Sequence, residues 1–157
     1  YTTEIEPEYT EHFKFAKDDE IITLDDGMTA ETIEVGFTTN NSTFTYDSST
    51  NKYLHSQYGG SHIDKENGEQ LAFDNVIIIY SEKDDYYGSQ YLQFNLWSGG
   101  DGYYMTQGKA IPIHWDKNTE WGPMIIQDED GNDITLNQGK TWISIVPTED
   151  KERTVIE

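Results

Sequence analysis

Ser61, His62 and Asp64 carry the residue types of a hydrolytic triad in a very short stretch. A working nucleophile, base and orienting acid are assembled from distant segments, because close neighbours on an extended chain diverge or point to opposite faces. Only His62 and Asp64, two apart, would share one face of a strand, where they could hold a metal ion or a polar ligand. The competing account is a loop held by its own side-chain hydrogen bonds. A second acidic stretch, Asp128-Glu-Asp-Gly-Asn-Asp133, invites a calcium-loop reading. If Gly131 takes the invariant glycine position of an EF-hand loop, the first ligand becomes Ile126 and the last Asn137. Isoleucine cannot ligate calcium, so the stretch reads as a hairpin turn that uses Asp-Gly-Asn for left-handed backbone. Ser98-Gly-Gly-Asp-Gly102 resembles a phosphate loop, but the strand-like Tyr103-Tyr-Met105 follows it where a helix N-terminus is needed, and Asp101 would repel phosphate. The histidines, His12, His55, His62 and His114, show no zinc-site spacing, and the chain has no cysteine. No metal and no cofactor are expected, and no catalytic residue is assigned.

Aromatic side chains are the remaining chemical signal. Trp97, Tyr91, Tyr86 and Tyr87, with Tyr103 or Tyr104, fall on the polar phase of strands or in loops. Rings so placed could stack on sugar faces or peptide side chains, or could cap the ends of a barrel. Trp115 closes a strand beside Lys117, and Gly59-Gly60 frees the backbone before His62. A functional surface is therefore expected around His62, Asp64, Trp115 and Lys117, with Trp97 and Tyr103 as further ligand-binding candidates. The structural alternative is that Trp115 plugs the fold while Asp64 caps a turn.

The elements that must position these residues are short strands. Ile33, Val35 and Phe37 share a face, as do Phe44 and Tyr46. Asp47-Ser-Ser-Thr-Asn51 turns the chain into a strand from Lys52 to Tyr58. Asn75–Tyr80 is an unbroken apolar run, which predicts a strand covered on both faces near the centre of the fold. Leu92, Phe94 and Leu96 alternate inward, and Pro112 places the strand 110–115 on an edge or beside a bulge. Ile134–Leu136 and Thr141–Val146 complete the set. The predicted core contains Ile33, Val35, Phe44, Tyr46, Val76, Ile78, Leu92, Phe94, Leu96, Ile111, Ile113, Ile143 and Ile145. Thr29–Ile33 allows one helical turn at most. The fold class is all-β, a barrel or sandwich of short antiparallel strands with very little helix.

Composition bounds the function. The 157 residues suffice for one domain with a real core, and 13% aromatic content offsets a modest 34% hydrophobic share. Thirty Asp and Glu against ten Lys and Arg leave a net charge of −20, a field that repels nucleic acid and anionic membrane surfaces. With so many carboxylates, some pair must fall at glycosidase spacing by chance, so their abundance is no sign of glycoside hydrolysis. The chain opens at Tyr1 without a leader and reads as a domain excised from a longer protein.

Several separated motifs carry a family resemblance: Phe44-x-Tyr46-Asp47, Lys52-Tyr53, Gly60-x-His62-x-Asp64, Asn75-Val76, Gly108-Lys109, Trp115-x-Lys117 and Leu136-x-x-Gly139-Lys140-Thr141-Trp142-Ile143. In their order and spacing they resemble the C-terminal domain of the YerB-like lipoproteins of Gram-positive bacteria. The resemblance covers residues 30–147 and transfers no catalytic residue, because the family has no assigned activity. It implies an extracytoplasmic, cell-surface protein, lipid-anchored at full length through an anchor outside this chain. Residues 1–30 are then expected to be a connector or the end of a preceding domain, 31–147 the YerB-like β domain, and 148–157 a frayed tail.

Three functions compete. The leading expectation is a non-catalytic binding or interaction module of the envelope, monomeric, meeting an envelope ligand or protein. The alternative is part of a metal-independent hydrolase acting on wall glycan or peptide, betrayed by a cleft carboxylate beside a histidine or second acid. The third is a purely structural domain that supports a neighbour, which an exposed apolar patch near residues 1–30 would favour.

Overall fold

A computed structural model describes residues 12–85, 91–119 and 122–157. In chain order the strands are β1 Lys14–Phe15, β2 Met28–Thr29, β3 Thr32–Val35, β4 Ser42–Asp47, β5 Lys52–Gln57, β6 Gly60–Ser61, β7 Ala72–Phe73 and β8 Asn75–Ser81. They continue as β9 Lys83–Asp85, β10 Leu92–Phe94, β11 Gly100–Thr106, β12 Lys109–Asp116, β13 Ile125–Gln127, β14 Thr135–Leu136, β15 Thr141–Pro147 and β16 Val155–Ile156. A short 3-10 helix, Thr148–Arg153, is the only helix among the described residues. The fold is all-β, as the spacing of apolar residues predicts.

Two six-stranded sheets form the body. One runs β13-β12-β11-β8-β15, with β2 also on β12; the other runs β16-β3-β4-β5-β6, with β7 also on β5. β8 explains the layering, because all seven of its residues are buried. Val76, Ile78 and Tyr80 face the second sheet and pack with Ile33, Phe44 and Tyr53. Ile77 and Ile79 face the opposite side, where Tyr104, Ile113, Trp115 and Leu136 complete a second core. A strand apolar on both faces can be satisfied only by cover on both, at about 1.5–3 kcal/mol for each large side chain withdrawn from water. Pairing is antiparallel except for β15 on β8 and β1 on β14, which are parallel. The turn from β11 to β12 places Gln107 and Gly108 at φ 51° and 72°, the type I′ geometry that matches strand twist.

Three expectations are corrected. The strand 110–115 lies inside its sheet, with β11 on one flank and β2 and β13 on the other. β2 pairs at Lys109 and Ala110 and β13 at His114 to Asp116, so Pro112, with no N–H to offer, falls in the gap between them. Leu92, Phe94 and Leu96 keep the predicted phase but not the depth: β10 pairs only with β9, Leu92 is 47% exposed and Phe94 is half-buried. Phe94→Ala is accordingly expected to cost about 1 kcal/mol in a denaturant melt, well below the 3–5 kcal/mol of a core phenylalanine. The C-terminal residues are not frayed. β16 pairs with β3, and Thr32 and Glu157 exchange backbone hydrogen bonds at 2.8 and 2.9 Å. Within residues 14–30, β1 pairs with β14 in a separate two-stranded sheet, β2 joins β12 of the first sheet, and Ala16 and Ala30 are buried.

A buried polar network locks β8, β11 and the loop after β14. The Asn75 carboxamide oxygen accepts from the Tyr104 hydroxyl (2.9 Å) and the Asn137 N–H (3.1 Å), and its NH₂ donates to the Asn137 carbonyl at 2.8 Å. The Asn137 side chain reaches on to the N–H and C=O of Ile22 and to the Thr106 hydroxyl. The segment after β1 is thereby tied to the centre of the molecule.

Candidate functional site

A cleft of about 410 Å³ opens where β5, the segment before β8 and the loop before β15 meet. Asp74 organises it. Its carboxylate binds the Lys52 ammonium at 2.5 Å and accepts the Lys140 N–H at 2.9 Å. The Asp74 N–H in turn donates to the Lys140 carbonyl at 2.9 Å. Gly139 makes this approach possible: its φ is +117°, and a Cβ there would lie 2.2 Å from the Asp74 carboxylate. Asp64, Asn67, Glu69 and Gln70 line the rest of the wall. Two of the chain's ten basic residues thus flank one concavity, and they come from stretches 88 positions apart in sequence, the difference between 140 and 52. Lys52 is spent on Asp74, whereas the Lys140 ammonium makes no ion pair among the described residues. The arrangement offers a cation, backbone groups and amide side chains to a polar ligand.

Beside the cleft wall lies an unforeseen relay. Ser42 Oγ is 2.7 Å from His55 Nε2, and His55 Nδ1 is 2.9 Å from His62 Nδ1. This is the hydrogen-bond order of a nucleophile, a base and an orienting group. Access is missing. His55 is fully buried between the rings of Phe44 and Trp142, at 4.7 and 4.5 Å between centroids, and Ser42 is 4% exposed. Burial first, and the neighbouring His62 second, push the His55 imidazole down to about 4, so it is neutral at ordinary pH. The sequence does carry a trace of it, since His55 shares the inward phase of Tyr53. Nothing in the spacing pairs it with Ser42.

The predicted site residues scatter. His62 and Asp64 sit near one another on the strip that covers β5, His62 half-buried against His55 at 5.1 Å between ring centroids. Asp64 acts as a turn residue: its carboxylate accepts the Glu66 N–H and its carbonyl the Gly68 N–H. It also lines the cleft. Trp115 is 2% exposed in the second core, its indole N–H donating to the Tyr80 carbonyl at 3.1 Å. It lies across the first sheet from the core that holds the ring stack of His55 and His62, so these residues form no common surface. Lys117 is half-buried just beyond β12, where its N–H bonds the Asp116 carboxylate. Trp97 is 50% exposed in the turn after β10, and Tyr103 packs edge-on against Tyr80 at 6.4 Å. Tyr86 and Tyr87 lie outside the described residues. Asp128 builds the predicted hairpin turn, its carboxylate accepting the N–H groups of Asp130 and Asn132. Asp101 and His114 pair across β11 and β12 at 2.9 Å, both more than half exposed, and Asp101 also lines a small hollow with Tyr80 and Lys151.

These features define an all-β sandwich domain with a cleft framed by Lys52, Asp74 and Lys140. Residues 33–143 match the C-terminal domain of a family described as "Protein of unknown function (DUF3048)", and the chain belongs to that family. Among its relatives is a protein of Bacillus subtilis (strain 168) named "Putative lipoprotein YerB", 30% identical over 119 residues, which are 73% of this chain and 35% of that protein. The crystal structure of the YerB protein from Bacillus subtilis superposes with a TM-score of 0.71 at 27% identity, covering 80% of this chain and 43% of that one. The chain therefore spans about a third of the curated relative's length.

Proposed function

We propose that the domain is a non-catalytic, extracytoplasmic interaction module of a lipid-anchored envelope protein, and that the cleft framed by Lys52, Asp74 and Lys140 is its binding site. The observation that carries this is the convergence on one concavity of Lys52, Asp64, Gly139 and Lys140, all members of the motifs that mark the family resemblance. The lipoprotein name of the relative supports the location. The sealed state of Ser42 and His55 weighs against hydrolysis, because no substrate carbonyl can reach a hydroxyl so deeply buried.

Soluble glycan–peptide fragments of a Gram-positive cell wall test the reading. Titrated into the ¹⁵N-labelled domain, they should shift the amides of Gly139 and Lys140 saturably and emerge chemically intact. Lys140→Ala should weaken binding about tenfold, the worth of one charge-assisted hydrogen bond, with the melting temperature unchanged. Cleaved fragments would restore the hydrolase, and shifts confined to other surfaces would remove the cleft.

A second reading rests on a separate observation. Phe15, Ile21 and Met28 are exposed, and an apolar hollow of about 200 Å³ lies beside Phe13, Met124 and Ile134. This is the apolar surface near the N-terminal stretch that a domain supporting a neighbour would present.

A further inference from the structure

β15 borders its sheet. It pairs with β8 through seven residues, yet among the described residues no strand lies on its other flank. No hydrogen bond to another described residue uses the outward backbone groups of Thr141–Val146. In a ladder of period two, about three of these residues direct both N–H and C=O away from β8. The other borders of the two sheets are strands of only two or three residues, β2, β13, β6 and β16. Short borders are a common guard against foreign strands, and so are charges, prolines and bulges along a longer one. β15 has none of these until Pro147 ends it: Thr-Trp-Ile-Ser-Ile-Val is uncharged in a chain that is 25% charged.

We propose that β15 is a docking edge for an extended basic peptide of a partner protein, which joins the sheet as a seventh strand. Main-chain pairing supplies the affinity, and the alternate side chains of the peptide lie beside Ile143 and Ile145 on one face and Trp142 on the other. Thr141, Trp142, Ile143 and Ile145 are half-buried and leave part of the strand's surface reachable, whereas Ser144 and Val146 are buried. The charge of the occupant follows from that of the domain. At −20, a second copy brought edge to edge would meet like charge, whereas a basic segment is drawn in and steered. This edge is distinct from the cleft, and the two can fail separately.

The probe is the capped heptapeptide Lys-Val-Lys-Val-Lys-Val-Lys, compared with the same peptide N-methylated at alternate residues and with its Glu-Val counterpart. Altering the peptide leaves the parallel pairing of β15 with β8 intact, which a proline in β15 would not. At physiological salt the basic peptide should bind saturably and slow hydrogen exchange of the outward amides of 141–146 at least tenfold. N-methylation should weaken binding at least tenfold, and the acidic peptide should not bind. Equal binding of the N-methylated peptide would reduce the effect to bulk charge and overturn the proposal. So would protection at other strands, or a dimer of the domain that protects these same amides without peptide. Shifts at Gly139 and Lys140 from wall fragments, with β15 unprotected by any peptide, would leave the cleft standing and remove this edge.

Discussion

Asn75→Ala is expected to destabilise the domain by about 3–5 kcal/mol, because it orphans several buried polar groups at once. Asn75 is fully buried, and so is Tyr104, whose hydroxyl donates to it. The substitution strips that hydroxyl of its acceptor and leaves the N–H and C=O of Asn137 without their Asn75 partners. Burial has already pushed the Tyr104 phenol up to about 12, so ionisation offers no escape. For a chain of this length each kcal/mol moves the melting point by about 2–4 °C, so a fall on the order of 10 °C is expected in a calorimetric scan. Asn75→Ala combined with Tyr104→Phe should cost less than the two single changes added, since the double variant no longer buries an unpaired hydroxyl. Strict additivity, or a single-variant loss below about 1 kcal/mol, would mean that water satisfies the network and that it does not hold the sheets in register.

How much of this was legible in the chain differs from element to element. β8 was readable as central because five of its seven buried positions, Val76 to Tyr80, form an unbroken apolar run, a pattern that few other environments tolerate. Pro112 correctly signalled a missing ladder bond, but it cannot say whether the flank is open or merely interrupted between two partners that lie far away in sequence. The alternation of Leu92, Phe94 and Leu96 fixed which face turns inward. Depth depends on what lies opposite, and β9 alone is a thin cover. β16 is a two-residue strand, too short for any periodicity to register. The cleft was invisible for a different reason. Asp74 is one carboxylate among thirty acidic side chains, and only the fold brings Lys52 and Lys140 to it. Trp115 shows the opposite failure. A tryptophan at the end of a strand reads equally well as an open platform or a plug, and the Tyr80 carbonyl waiting for its indole N–H makes it a plug.

Acidification should unfold the domain through His55. In the folded state this imidazole titrates at about 4, against about 6.5 when exposed, so the unfolded chain takes up the proton first. Stability from this group is complete above the unfolded value and is lost as pH falls from about 6.5 towards 4. The loss can reach about 3 kcal/mol as an upper bound, 1.36 kcal/mol for each unit of displacement. The geometry gives the same sign. The Phe44 and Trp142 rings enclose the His55 imidazole and solvate a cation poorly, and only a proton on both His55 and His62 would set the two Nδ1 atoms, 2.9 Å apart, donor against donor. Ser42 on the other ring nitrogen can accept a hydrogen bond but brings no countercharge. Two other groups with displaced values act elsewhere: Asp47 and Asp128 are held below the usual carboxylate range by hydrogen bonds from Ser49 and Asn132, so their contributions fade only at lower pH. The net charge of −20 pulls in the opposite direction, because protonating carboxylates relieves self-repulsion as the pH drops. The decisive measurement is therefore a difference: melting temperature from pH 7.5 to 4.5 for the wild type and for His55→Gln, which keeps a polar partner for Ser42 but cannot be protonated. The wild type should lose several degrees relative to the variant across that window, with the His55 ring signals remaining those of a neutral imidazole down to about pH 5. Parallel curves for the two proteins would show that the proton enters elsewhere and that the buried pair of histidines carries no pH response.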